Sequence, residues 1–244
     1  DAIVVECGGT SSNVSVVKGG RPVVRSLRVM GRPTCVRAVD SWVVGAAGGS
    51  MALLKRRSVA QTGPRSAHVA GLPYACFADP SELVGAQLEL VAPGEGDPER
   101  YACVRANGKL HALTVTCAAN ALGLVAAEAY SFAGQEAALS AFAPLAERLK
   151  TTPAGAARQL LDGAVEKIVK AVADAARHHD LRSDVPLVAL GGAGEALVPL
   201  VAERLKRPLI RPDHPEVLSS IGAAISLVRA EVTRNGTSNG AAVE

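Results

Sequence analysis

Aromatic side chains are scarce: three Phe, three Tyr and one Trp make up 3% of 244 residues. That leaves little with which to build the stacking platform used for single-stranded nucleic acid. Charge of one sign is lacking too. Lys and Arg number 26 against 23 Asp and Glu, a net charge of +3, too small and too dispersed for a phosphate-backbone footprint, so nucleic acid is not an expected partner. The five cysteines (Cys7, Cys35, Cys76, Cys103 and Cys117) are odd in number, widely spaced and never in a C-x-x-C pair. They speak against a disulfide framework and a zinc knuckle and fit a reducing, cytoplasmic setting. No apolar run approaches the ~18 residues of a membrane span; the Ala-rich stretch from Ala118 to Ala129 is broken by Asn120 and carries Glu128 near its end. The chain opens on Asp1 with neither an initiator Met nor a charged-then-apolar leader, which reads as a fragment or a processed chain.

What is present is the composition of a globular protein, with 48% hydrophobic and 20% charged residues. The length allows one large domain or two small ones. Ala2 to Glu6 is a short β-branched run that meets the glycine turn Cys7-Gly8-Gly9-Thr10-Ser11-Ser12 and resumes over Asn13 to Val17. A second turn at Lys18 to Pro22 leads to a third strand over Val23 to Val29, so an antiparallel β-meander is expected to start the fold. Runs at Trp42 to Val44 and Met51 to Leu54 flank Gly45-Ala46-Ala47-Gly48-Gly49-Ser50, where backbone can approach backbone or ligand closely. Thr62 to Pro80 reads as loop, and Pro93 to Pro98 as a further exposed one. Asn107-Gly108 between Tyr101–Ala106 and Lys109–Val115 predicts a two-residue hairpin. We expect residues 93–115 to form a hairpin insertion.

From Ala118 the hydrophobic period changes and Ala-rich helices are expected near Ala118–Ala129, Gln135–Leu149 and Pro153–His178, the last with Thr152 as N-cap and Pro153 at its first position. A parallel-type strand over Pro186 to Leu190 runs into Gly191-Gly192-Ala193-Gly194, followed by a helix to Leu205, a strand at Leu209-Ile210 and a helix near Val217–Val232. Residues 235–244 read as a disordered tail, leaving residues 1–234 as a single domain. The expected class is α/β, a ribonuclease-H-like layer.

Two glycine turns carry the chemistry. The first offers N–H groups unobstructed by side chains, hydroxyls at Thr10, Ser11 and Ser12, and the Glu6 carboxylate, a set suited to phosphate oxygens and a hydrated Mg²⁺. The second, Gly191-Gly192-Ala193-Gly194, lies after a strand and before a helix, where an adenosine could rest on bare backbone. It lacks G-x-G-x-x-G spacing, so a dinucleotide fold is disfavoured. Cys7, His68, Cys76, His111 and Cys117 show no ligand spacing and read as buried small groups rather than a metal cluster. His178-His179 reads as a helix-end cap, Cys7 as at most a weak nucleophile candidate, and Lys55 and Arg65 as surface cations or phosphate contacts.

Two such turns, one early and one late, resemble the sugar-kinase, actin and chaperone ATPase superfamily. The likeness sharpens to the hydantoinase/oxoprolinase A-type family, whose second domain opens with D-x-G-G-T-S-T-D-V. Glu6 to Val14 resembles it, with Glu6 for the first Asp and Asn13 for the last. Gly45 to Ala52, Gly63-Pro64-Arg65-Ser66-Ala67, Thr114-Val115-Thr116 and Ala189 to Gly194 follow the family's order, with Cys117 and Ala119 where it has Asp and Asn.

The resemblance implies an actin-like ATPase domain that uses ATP and Mg²⁺. In it Gly8, Gly9, Thr10 and Ser11 hold phosphates, Glu6 orients Mg²⁺ directly or through water, Glu6 and Thr10 are the catalytic candidates, and Gly191, Gly192 and Gly194 admit the adenosine. It also implies a small-molecule substrate, a cyclic amide or carbonyl, and an N-terminal domain or second subunit that completes the cleft. The expected role is therefore the nucleotide-binding half of an ATP-dependent amidohydrolase or carboxylase subunit. The alternative is a degenerate, non-enzymatic interaction or assembly subunit. No membrane partner is expected, and a homo-oligomer is left open.

Overall fold

The computed structural model describes residues 1–225. It comprises strands β1 (Ala2–Cys7), β2 (Ser12–Lys18), β3 (Arg21–Pro22), β4 (Val24–Val29), β5 (Arg32–Val39), β6 (Ser41–Val44), β7 (Ser50–Lys55), β8 (Ser58–Ser66), β9 (Gln87–Val91), β10 (Tyr101–Ala106) and β11 (Lys109–Ala112). These are followed by α1 (Val115–Ala121), α2 (Gln135–Leu149), α3 (Pro153–His178), β12 (Leu187–Leu190), α4 (Gly194–Leu205), β13 (Leu209–Ile210) and α5 (Leu218–Ile225). The result is a mixed α/β architecture. The last residues of the helix expected over 217–232, and the expected tail at 235–244, lie outside the described residues.

The first sheet runs β13-β12-β1-β2-β3, with β6 also paired to β2. β12 lies parallel to β1, in a register that sets Val5 opposite Ala189 and Glu6 opposite Leu190, whereas β2 is antiparallel to β1. Alternation explains β1: Ile3, Val5 and Cys7 are fully buried, while the residues between them are half-buried. The expected meander forms, but its third strand is only Arg21–Pro22. Val24–Val29 leaves the sheet and pairs instead with β5, unforeseen in the sequence, as an exposed two-stranded ribbon.

The second sheet runs β11-β10-β7-β8, with β9 also on β10. The Asn107-Gly108 hairpin is present, with both residues at positive φ (48° and 77°), and it is a working part of this sheet. The first five residues of the stretch expected to be loop, Thr62 to Ser66, belong instead to strand β8, and the remainder to Pro80 is free of extended strand. Pro64 fits there because β8 is an edge strand, where a missing N–H breaks no ladder on its open side.

Helix α3 joins the two sheets. Thr152 Oγ1 accepts from the Gly155 N–H at 3.0 Å, Pro153 opens the first turn, and Leu160, Leu161, Val165, Ile168 and Val172 are fully buried. Its small residues are needed for close approach: a Cβ on Gly163 would lie 2.5 Å from Thr62 Oγ1 on β8. Thr62 Oγ1 donates to the Leu160 carbonyl at 2.7 Å, and Lys167 Nζ donates to the Thr62 carbonyl at 2.6 Å. Helix α1 starts earlier than its Ala-rich pattern suggests, because the Thr114 side chain accepts from the Cys117 N–H and caps it. It also stops sooner, before Gly123 at φ +66°.

Candidate functional site

Parallel neighbours end at the same edge of a sheet, and chains leaving them must pass close together. β1 and β12 are such neighbours, and each is followed by one of the two glycine turns. Gly191, at φ +83°, lies directly against Cys7, where an added Cβ would be 2.5 Å from the Cys7 carbonyl oxygen. The Ala193 N–H donates to that oxygen at 3.0 Å. The third glycine segment closes the arrangement: Gly48 and Gly49 donate to the carbonyls of Gly8 and Gly9 at 3.0 and 2.6 Å. A Cβ on Gly49 would be 2.2 Å from the Tyr74 hydroxyl and 2.7 Å from the Gly9 oxygen, so this is the close backbone contact that the small residues foreshadowed.

Around these turns opens a cleft of about 360 Å³ lined by Gly8, Gly9, Gly48, Tyr74, Phe77, Thr116, Tyr130, Ser131, Gly192, Ala193, Glu216 and Val217. A second hollow of about 290 Å³, lined by Glu128, Gly191, Glu195, His214 and Pro215 among others, shares Tyr130, Gly192 and Glu216 with it. Both suit a small organic ligand in size.

The Gly8 N–H is used within its own turn, donating to the Ser11 carbonyl at 3.2 Å. Among the described residues, the N–H groups of Gly9, Thr10, Ser11 and Gly192 have no protein acceptor. Consecutive free N–H groups in a turn are a cradle for an anion.

Of the residues singled out from the sequence, Gly8, Gly9 and Gly192 line the cleft and Gly191 lines the adjoining hollow. Glu6, Thr10, Ser11 and Gly194 do not line the cleft. The Glu6 carboxylate accepts from Ser219 Oγ of α5 at 2.5 Å, and Thr10 Oγ1 is 3.2 Å from Ser66 Oγ. Gly194 opens α4, its N–H donating to the Gly191 carbonyl. Lys55 and Arg65 are exposed and outside the lining, Arg65 pairing with Asp97 through Nε at 2.9 Å. Cys7 is buried, which pushes its thiol up to about 12 and removes it as a nucleophile.

The aromatic side of the cleft was missed. Tyr74 and Phe77 stack with centroids 5.8 Å apart, and Tyr130 stands 89% exposed beside Gly192. A signal existed for the exposed pair: in so aromatic-poor a chain, Phe77 and Tyr130 lie outside the α-helices and strands and stand exposed, whereas Tyr74 also packs against the core. Burial raises the Tyr74 hydroxyl to about 12, helped by the nearby Cys117, Cys76 and Tyr130, so it is a proton donor throughout the neutral range. The Tyr130 loop is held by buried Asn120, whose Nδ2 donates to the Ser131 carbonyl at 2.9 Å and whose Oδ1 accepts from the Ala133 N–H at 2.6 Å.

Where the resembling family has Asp, Cys117 lies buried behind this wall and receives the Thr114 hydroxyl at 3.2 Å and the Cys76 N–H at 3.4 Å. Burial works to raise its pKa, but these donors and the Cys76 thiol outweigh that and hold it below the ordinary thiol value.

The chain is thus an α/β protein with a cleft at the carboxyl ends of neighbouring parallel strands, floored by glycine turns, the place where open α/β sheets hold their ligands. The sequence model of the hydantoinase/oxoprolinase family matches residues 1–232, and the chain belongs to that family. Two solved structures are similar to it. One is an acetone carboxylase in a nucleotide-free structure, described under the mechanism of ATP-dependent acetone carboxylation. It has a TM-score of 0.66 and 18% identity over 91% of this chain and 28% of that one, a likeness of fold. The other is an ATP-dependent caprolactamase from Pseudomonas jessenii, with a TM-score of 0.62 and 25% identity over 91% of this chain and 29% of that one. The chain thus spans under a third of either. No curated protein matches it in sequence.

Proposed function

We propose that this chain is the nucleotide-binding half of an ATP-dependent hydantoinase- or oxoprolinase-like amidohydrolase or carboxylase, cytoplasmic, with a small-molecule substrate and a further domain or subunit closing the cleft. The observation that carries the reading is the convergence of Gly8, Gly9 and Gly192 on one cleft. The strand order supports the ribonuclease-H-like, actin-like assignment: β2 is antiparallel to β1, whereas β12 and β13 follow in parallel.

The residues present fit a nucleotide. The free N–H of Gly9, in the cleft lining, suits a phosphate oxygen, and those of Thr10 and Ser11 continue the same turn just outside that lining. Gly192, whose Cβ would meet only Tyr130 at 3.9 Å, leaves room for a flat ring beside Tyr130. Bound ATP would supply a phosphoryl group able to activate a carbonyl oxygen. This chain's part is to hold the phosphates by backbone donors, to present the protonated Tyr74 hydroxyl near Gly9, and to exclude water along the Tyr74–Phe77 side. For Mg²⁺ the fit is poorer. Glu6 is turned to Ser219 and Glu216 is the carboxylate in the cleft lining, so no step is routed through the metal.

The placement of Glu6 and Thr10 off the cleft favours the second reading, a non-enzymatic assembly subunit. The test is Mg·ATP binding and steady-state phosphate release by the chain, alone and joined to the rest of its protein, with Gly192→Val as the variant that fills the cleft. Binding that Gly192→Val abolishes, with turnover only in the assembled protein, is expected, since one lost donor can cost about 10²–10³ in rate. Robust turnover by the chain alone refutes the half-cleft reading, and silence of both forms supports the assembly role.

A further inference from the structure

We propose that Asp40, His178 and His179 form a binding site for a zinc-class divalent cation, away from the cleft and independent of the nucleotide reading. Asp40 lies between β5 and β6 and is only 2% exposed, its N–H donating to the Val23 carbonyl at 2.8 Å. His179 is the C-cap residue of α3, its N–H bonded to the Ala175 carbonyl. Its ring, 12% exposed, turns inward, with Nε2 3.1 Å from Asp40 Oδ2. His178 Nε2 approaches the same carboxylate oxygen at 3.9 Å. One ligand atom from each residue lies within 4.8 Å of the others, so a helix-end histidine pair, read in the sequence as a cap, converges with an acid far away in the chain.

Two imidazoles and a carboxylate with an open fourth position are a donor set for Zn²⁺, Co²⁺ or Ni²⁺. Bonds of about 2.0–2.1 Å in tetrahedral geometry separate ligand atoms by about 3.4 Å. The Asp40–His179 pair needs to open by a few tenths of an ångström and His178 to close by about half an ångström. His178 is 56% exposed and can rotate to do so. The negative end of α3 adds attraction for a cation.

Arg25 Nε lies 2.6 Å from Asp40 Oδ1 as an ion pair and opposes the ion's charge, although Oδ1 is buried and receives no hydrogen bond, and Oδ2 is the oxygen that both imidazoles approach. Lys18 Nζ donates to the His179 carbonyl at 2.6 Å and belongs to the same positive surroundings.

Trp42, the only tryptophan, reports on the site: its ring lies 5.6 Å from each of the two imidazoles. The experiment titrates the EDTA-treated, untagged full chain with Co²⁺, in a Cys35→Ser background that removes the exposed thiol, and follows Trp42 fluorescence. Saturable 1:1 quenching that Zn²⁺ reverses is expected. His178→Ala, at an exposed position that leaves the Asp40–His179 contact intact, should weaken it by at least about tenfold. Arg25→Gln should tighten it by about tenfold, the Coulomb cost of a neighbouring cation in a largely aqueous setting. No saturable quenching below about 1 mM Co²⁺, or quenching unaffected by either substitution, overturns the proposal.

Discussion

Gly191 is the position at which one methyl group should separate fold from site. Its φ of +83° is one that side chains rarely adopt, and its missing Cβ would sit 2.5 Å from the Cys7 oxygen and 2.8 Å from the Cys7 carbonyl carbon. Neither neighbour is a flexible side-chain tip. Cys7 is fully buried and ends the strand that pairs with β12. Gly191→Ala therefore incurs a strained backbone, about 1–3 kcal/mol, and overpacking against main chain, about 1–3 kcal/mol. The sum, roughly 2–6 kcal/mol, is a large part of an ordinary stability of about 5–15 kcal/mol. At about 2–4 °C per kcal/mol for a chain of this size, Tm should fall by roughly 4–24 °C.

Gly192→Ala is the control. Its Cβ would touch only Tyr130 Cδ1, at an ordinary 3.9 Å, so stability should change by no more than about 0.5 kcal/mol. Thermal unfolding of the two variants, followed by circular dichroism, decides the matter. A Gly191→Ala protein as stable as the parent, or a Gly192→Ala protein equally damaged, refutes the argument that β1 and the second glycine turn are in hard contact.

Asn120→Leu should cost about 2–4 kcal/mol, since it strips partners from the buried Ala133 N–H and the Ser131 carbonyl; faster amide hydrogen exchange at Ala133 would show the Tyr130 loop released. Leu160→Ala, at a fully buried position of α3, should cost about 2–5 kcal/mol in urea unfolding. His111 supplies a pH dependence. It is buried with Nδ1 unpartnered, and burial lowers its pKa from the ordinary 6.5. The unfolded chain then takes up the proton first, so this contribution to stability is complete above about pH 6.5 and is lost as pH falls from there toward the lowered folded value. His111→Gln should show a smaller loss of stability between pH 7.5 and 5 than the parent, and identical slopes would count against it.

Local rules were enough for much of the chain. A Thr-Pro start and regular apolar spacing specify α3, alternation specifies β1 and β2, and Asn107-Gly108 specifies its hairpin, because each depends on neighbours a few residues away. The family, too, was legible, since its glycine segments are short and contiguous. Other features depended on partners distant in sequence. β4 looked like a third meander strand, but it pairs with β5, and β8 is a strand despite Pro64 because it sits at an edge. Glu6 was expected to orient Mg²⁺ or its water, yet its side chain lies on the α5 side, bonded to Ser219. The cleft itself arises from a single tertiary event, the parallel pairing of β1 with β12. It joins two glycine turns from opposite ends of the sequence, beside which Tyr74 and Phe77 come from one segment and Tyr130 from another. Composition and periodicity describe what each segment can bury on its own, whereas which backbone N–H groups remain without an acceptor depends on how all the segments close together.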